Sequence, residues 1–171
     1  MILPIVAYGS PILRVPCRPA NLADPQLPIL VGNLLHTMKN AHGAGLAAPQ
    51  VNVPQCVFVT EAAGVFINPQ VLWYSPEQLW DEEGCLSIPG IQENVPRAKR
   101  IAVSWVNEKL EPQTGEFEDD AARVIQHEYD HLQGKLYLDY LPPFRKRLLQ
   151  GRLNRVLKGK ADCPYPLRST T

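Results

Sequence analysis

Residues 126–131 read QHEYDH. Two histidines, His127 and His131, stand four apart, with Glu128 directly after the first. On an α-helix that offset turns about 400° and rises about 6 Å, so both imidazoles can meet at one point. Glu128 lies about 100° round the helix from His127, beside that point, where a carboxylate can take a proton from water. The spacing therefore suits a metal ion with its own base. The plain alternative is an amphipathic helix whose polar residues fall at this spacing by accident. Against it, Glu128 and His131 lie on or beside the apolar stripe set by Val124, Ile125 and Leu132, and burying unpaired ionisable groups is costly.

Two imidazoles do not complete a ligand set. No histidine follows His131 and no glutamate follows Glu128. Tyr137 stands where a metzincin would carry its third histidine, and Asp139 lies beyond the helix stop expected at Gly134. The remaining donors are His36 and His42, far upstream, and the cysteines Cys17, Cys56, Cys85 and Cys163. Cys85 is the strongest of these. It lies in DEEGCLSIPG, expected to be a polar turn between strands, and Gly84 lets that turn approach a helix closely. Thiolate binds zinc or iron well. Cys56 sits in an apolar strand run and reads as a buried structural thiol. Two imidazoles, one thiolate and an open fourth position make a catalytic rather than a structural site.

Helices and strands must bring these groups together. Residues 24–42 predict a helix, with Leu27, Leu30, Leu34, Leu35 and Met38 on one face and Gly43 and Gly45 ending it. QCVFVT, VFINP, residues 71–80 and KRIAVSWVNE predict strands. Gly115 marks an expected turn before the helix of the QHEYDH motif. Asp119 and Asp120 suit that helix's N-terminus, Gly134 its C-cap, and Ala121, Val124, Ile125 and Leu132 its buried face. A last helix is expected over about 144–158, followed by a tail over 159–171. Strands clustered between terminal helices predict one α+β domain spanning residues 1–171.

Composition narrows the function classes. The N-terminus has no basic flank before an apolar run, as a secretory signal would, and no apolar stretch approaches the ~20 residues of a membrane span. A cytoplasmic location is expected, and the four cysteines are expected to be free or metal-bound. Net charge is zero, yet residues 1–142 hold nine Lys or Arg against sixteen Asp or Glu, whereas residues 143–171 hold eight against one. An acidic body thus carries a basic tail.

GAGLAAPQ at 43–50, EGCLS at 83–87 and QHEYDH at 126–131 resemble the three motifs of the peptide deformylases, in order and at familiar separations. FINP at 66–69 and VPR at 95–97 also resemble that family. The likeness runs from about Ile2 to Tyr140. It departs at Ala44, where a branched apolar residue is usual, and at Asn52, where glycine is common. The resemblance implies an α+β fold with β-sheet packed around the QHEYDH helix. It implies hydrolysis that removes formate from N-formylmethionyl nascent peptides. One divalent metal is implied, commonly Fe²⁺ with Zn²⁺ or Ni²⁺ able to substitute, held by Cys85, His127 and His131. Glu128 would be general base and acid, and the Gln50 side chain and Leu86 backbone N–H would be oxyanion donors.

Further positions follow with less constraint. Val124, one turn before His127, would line the methionine pocket or simply pack in the core. Arg123 would reach over that pocket and Ala44 would lie near it. Gly43, Gly45 and Gly84 would let substrate main chain approach. Glu83 and Arg97 would pair and prop the EGCLS turn, or both remain solvated. Two rivals remain: a metallopeptidase cleaving internal peptide bonds, and a non-enzymatic domain with a structural metal, closed by a fourth ligand such as Cys163, and an RNA-binding tail. The basic helix is also expected to dock on ribosomal RNA.

Overall fold

The computed structural model describes residues 1–169. Thr170 and Thr171, the end of the expected tail, lie outside the described residues. In chain order the elements are β1 (Ile5–Val6), α1 (Leu27–Asn40), β2 (Gly45–Ala47), β3 (Val57–Thr60), β4 (Gly64–Tyr74), β5 (Gln78–Cys85), β6 (Ile88–Ala98), β7 (Arg100–Val106), β8 (Pro112–Glu118), α2 (Asp119–Leu132), α3 (Pro143–Leu157) and β9 (Leu167–Arg168). Short 3₁₀ turns cover Pro11–Arg14, Ala48–Val51 and Tyr137–Tyr140. The fold is α+β, as expected.

Strands β2-β3-β4-β7-β8 form one antiparallel sheet in that order. Strands β5 and β6 form a long antiparallel hairpin, and β1 pairs in parallel with β9. Helix α2 packs on the larger sheet, with Ala122, Ile125 and Leu132 joining Ala47, Phe58, Phe66, Ile101 and Val103 in one core. Helix α1 covers a second core with Leu27, Val31, Leu34 and Met38 against Leu46, Val57, Val59 and Ile67. A third core joins the hairpin to the chain's end, through Ile91, Val95, Tyr137, Leu149 and Leu153.

Helix α2 begins where Asp119 turns to φ +52°, with its N–H donating to the Lys99 carbonyl at 2.9 Å. It is followed by Gly134 at φ +71°, where an added Cβ would lie 2.6 Å from the Arg14 carbonyl oxygen. Only glycine fits there, since both backbone conformation and space exclude a side chain.

Several expectations need correction. Ala122, not Ala121, occupies the buried face of α2, and Val124 is only half-buried. On α1, Val31 and Thr37 are buried, while Leu30 and Leu35 pack at the core's margin. Residues 71–80 form two strands, because the chain turns at Ser75, whose hydroxyl donates to the Glu77 carbonyl at 2.9 Å. Gly115 is not a turn. It lies within β8 opposite Val103, with the Trp105 ring above it, and the turn is at residues 107–110. The cysteine segment is mostly strand: Cys85 ends β5, and only residues 86–87 turn.

Candidate active site

Cys85 from the end of the hairpin's first strand meets His127 and His131 from α2. One ligand atom from each lies within 4.8 Å of the others. Cys85 Sγ and His131 Nε2 are 3.4 Å apart, and the two imidazole rings stand nearly perpendicular with centroids 5.0 Å apart. No other group of three His, Cys, Asp or Glu side chains among the described residues gathers in this way.

The geometry around the three donors fixes their orientation. His127 Nδ1 contacts Glu83 Oε1 at 2.8 Å, which leaves Nε2 as its free nitrogen. Glu83 also receives Arg97 through Nε at 2.7 Å and an NH₂ group at 2.9 Å, and Arg123 at 2.8 Å. The expected Glu83–Arg97 pair therefore forms, deep in the protein and bidentate. Arg97 continues to Asp130 Oδ2 at 2.6 Å, and the Tyr140 hydroxyl donates to the same oxygen at 2.8 Å. Burial alone would raise the Glu83 carboxyl, but Arg97 and His127 outweigh it and bring the pKa down to about 2. A carboxylate that orients an imidazole from behind fixes its tautomer and raises its basicity as a ligand.

Glu128 is different. It is buried with no cation bonded to it, and burial pushes its pKa up to about 7. Its Oε2 is a buried oxygen without a hydrogen-bond partner among the described residues. A Cβ at Gly45 would lie 2.5 Å from Glu128 Oε1, so glycine there makes room for the carboxylate. Among native proteins an orphaned buried carboxylate oxygen calls for a partner such as water, an ion or substrate.

Gln50 ends its amide at the same place. The Ala47 N–H donates to its Oε1 at 2.9 Å, which turns Nε2 toward Cys85 Sγ at 3.5 Å and Ser87 Oγ at 3.2 Å. The amide thus offers its donor end to the site. Gln126, the first residue of the QHEYDH stretch, bonds both backbone groups of Ala98 and so pins α2 to the end of β6.

These groups open onto a cavity of about 620 Å³. Gly43, Ala44, Gly45, Gly84, Leu86, Arg123 and Val124 all line it, alongside Gln50, Cys85, His127 and Glu128. A second cavity of about 170 Å³ adjoins it through Ala44 and Val124, and is walled by Ala62, Ala63 and Ala121. Arg123 lines the main cavity, but its guanidinium also donates to the carbonyls of Val95 at 2.8 Å and Leu79 at 2.7 Å. Its charge serves the Glu83 network. Sequence reasoning missed Asp130, Ser87 and Tyr140 as supports, although Ser87 and Asp130 lie inside two of the quoted motifs. It also missed Asp162, Pro164 and Tyr165, which form part of the cavity wall.

The donor set fits a divalent metal. Neutral imidazole and thiolate are soft to intermediate ligands suited to iron, zinc or nickel, and three of them with one side open to a cavity match a catalytic site. Cys163, the candidate fourth ligand of the structural-metal reading, is not in this cluster; its thiol contacts the Tyr165 carbonyl at 3.3 Å. Fold and site together define an α+β metal-dependent hydrolase.

Residues 2–147 match the family model described as polypeptide deformylase. The chain is 39% identical to a peptide deformylase of Christiangramia forsetii over 98% of this chain and 96% of that protein. It is 41% identical to one from Salinibacter ruber over 98% and 94%. The crystal structure of the Thermotoga maritima peptide deformylase superposes with a TM-score of 0.80 at 40% identity, covering 84% of this chain and 99% of that one. A Plasmodium falciparum peptide deformylase structure gives 0.86 at 31% identity, covering 91% and 95%. The chain belongs to the polypeptide deformylase family, metal-dependent hydrolases that remove the formyl group from the N-termini of nascent polypeptides.

Proposed function

We propose that this chain deformylates N-formylmethionyl peptides in the cytoplasm using Cys85, His127 and His131 as metal ligands, Fe²⁺ being the resident ion. The observation that carries this reading is the unpartnered Glu128 oxygen beside the three convergent donors. A divalent ion held by those donors supplies Lewis acidity, which brings deprotonation of water close to neutral pH.

The chain's own groups do the rest. Glu128 takes a proton from the attacking water and returns one to the departing amine. Water's oxygen bonds to the formyl carbon, the C–N bond breaks, and formate and a free amino group leave. Gln50 Nε2 and the Leu86 N–H donate to the oxygen that becomes negative during attack. The smaller cavity beyond Ala44 and Val124 takes the methionine side chain, and Ala44 widens its entrance. Backbone groups at Gly43, Gly45 and Gly84 pair with substrate main chain, in the manner of an added strand. Helix α3 meets nucleic acid at the ribosome through its outward cations.

The test is formate release from formyl-Met-Ala-Ser, combined with metal analysis of the purified protein. One metal per chain and stoichiometric formate are expected. Cleavage of the internal peptide bond without formate would establish the peptidase reading instead. Fe-loaded enzyme should lose activity in air faster than Ni-loaded enzyme, because ferrous iron beside a thiolate invites oxidation at Cys85. Equal lifetimes would count against iron as the resident ion.

A further inference from the structure

After α3 the chain turns at Gly159, which adopts φ +63°, and runs back across the molecule. There it forms β9, beside β1, with Ile5 N–H bonded to the Pro166 carbonyl and Ala7 N–H to the Arg168 carbonyl, each at 2.9 Å. Tyr165 and Leu167 pack against the core that contains Ile5 and Leu46. This strap lies outside the family match at residues 2–147, yet Asp162, Pro164 and Tyr165 line the active-site cavity.

The strap also hydrogen-bonds the turn that carries Leu86. The Tyr165 hydroxyl donates to the Leu86 carbonyl oxygen at 2.8 Å. Leu86 belongs to the two-residue turn between β5 and β6, where the ladder between the strands slips at Gly84 and Cys85. The Cys85–Ile88 pair closes this turn from the ladder side, and bonds from elsewhere hold the two turn residues themselves. Three are present. The Tyr8 N–H donates to the Ser87 carbonyl at 2.8 Å, Gln50 Nε2 donates to Ser87 Oγ at 3.2 Å, and Tyr165 holds Leu86. The first two fix Ser87, and Tyr165 fixes the residue before it.

We propose that Tyr165 is a positioning residue for deformylation: its hydroxyl, carried by the C-terminal strap, locks the turn that aims the Leu86 N–H at the developing oxyanion. A donor stabilises the transition state fully only when it is already oriented, since reorganisation during the reaction consumes its advantage. The strap's pairing with β1 and the packing of the Tyr165 ring supply that rigidity from a part of the chain remote in sequence. Tyr165 acts through Leu86, so this role rests on the donor function proposed above for the Leu86 N–H.

The experiment compares the full-length chain with Tyr165→Phe, which keeps the ring and removes the hydroxyl. Formyl-Met-Ala-Ser turnover, metal content and the NMR order parameter of the Leu86 N–H are measured in both. Metal content and KM should be unchanged, while kcat falls about three- to tenfold, the effect of one neutral hydrogen bond. The Leu86 order parameter should drop from about 0.85 toward about 0.6, the change from rigid to flexible backbone. An unmoved order parameter overturns the clamp, whether or not kcat falls. A rise in KM alone assigns the hydroxyl to substrate binding and also overturns it, as does a loosened turn with unchanged kcat. Absence of formate release by the unmodified chain would instead defeat the proposed activity, with the order parameter still reporting on the clamp.

Discussion

Glu128 and Cys85 stand close together in the site but are expected to fail differently when removed. Glu128→Ala should retain the metal and lose turnover, because every proton of the proposed reaction passes through that carboxylate. General acid–base groups contribute about 10²–10⁴-fold, and a loss of that size in kcat is expected. Metal loss in a folded Glu128→Ala protein would make Glu128 a ligand and overturn its role. Cys85→Ala should lose metal and activity together; tight binding of one ion per chain by that variant would remove the thiol from the ligand set. The other thiols provide a contrast. Burial pushes Cys17 up to about 12, with Cys56 nearby adding to the effect, and burial also raises Cys56. Thiolate forms only as pH rises through these raised values, so at pH 8 both should alkylate more slowly in the folded protein than after denaturation. Mass spectrometry after iodoacetamide treatment measures the rates, and native rates matching the unfolded ones would contradict the packing of residues 17 and 56.

The hairpin β5–β6 is the element that joins ligand to helix, and its strength lies in a buried ion network rather than in apolar packing alone. Glu83 faces two arginines and an imidazole at once. Removing one member of such a group leaves the others buried and uncompensated, at a cost of about 3–5 kcal/mol. Glu83→Gln should therefore lower the unfolding free energy by about 3 kcal/mol in urea. It should also weaken metal affinity about 10–100-fold through loss of the bond behind His127. An unchanged urea midpoint would mean that Arg97 and Arg123 are not left uncompensated when the Glu83 charge is removed. The same network explains what the sequence concealed. Helix α2 was legible because its metal spacing, acidic start and glycine stop agree. Strand β6 was not, although Ile91, Glu93, Val95 and Arg97 alternate inward with period two. Two of those four inward positions are charged, and Pro89, Gly90 and Pro96 interrupt the run, so hydrophobic periodicity had little to register. Strand β8 has Phe117 as its one large apolar side chain, and it takes its place from pairing with β7. Gly115 looked like a turn because nothing local shows that Trp105 would lie over it.

Across the whole molecule, charge and core meet in α3. Leu149, Leu153 and Val156 are buried, whereas Leu148 is exposed, so the apolar face is narrow. Arg145 is committed to Glu93 through contacts of 2.7–3.1 Å, and Arg152 donates to the Gly90 carbonyl. Arg155 turns back to the Lys160 carbonyl at 3.1 Å. Arg145 is thus neutralised by an acid, and Arg152 and Arg155 are turned to backbone carbonyls, which spacing alone did not reveal. Lys146, Arg147 and Lys158 are exposed cations that form no salt bridge among the described residues. They are cations of the helix and its C-terminal end that phosphate can reach. Deleting the helix would uncover the third core and release the strap that pairs with β1, so loss of function in a truncated chain would say little about docking. Charge reversal is the cleaner experiment: Lys146→Glu, Arg147→Glu and Lys158→Glu together. The triple variant should melt as the parent does and hydrolyse formyl-Met-Ala-Ser at the parental rate, because none of the three lines the cavity. Its co-sedimentation with ribosomes should fall at low salt, and the parent's should weaken steeply as salt rises, since each phosphate contact releases counterions. Equal co-sedimentation of parent and variant at low salt would remove α3 as the docking element and leave its charge as the counterweight to an acidic body.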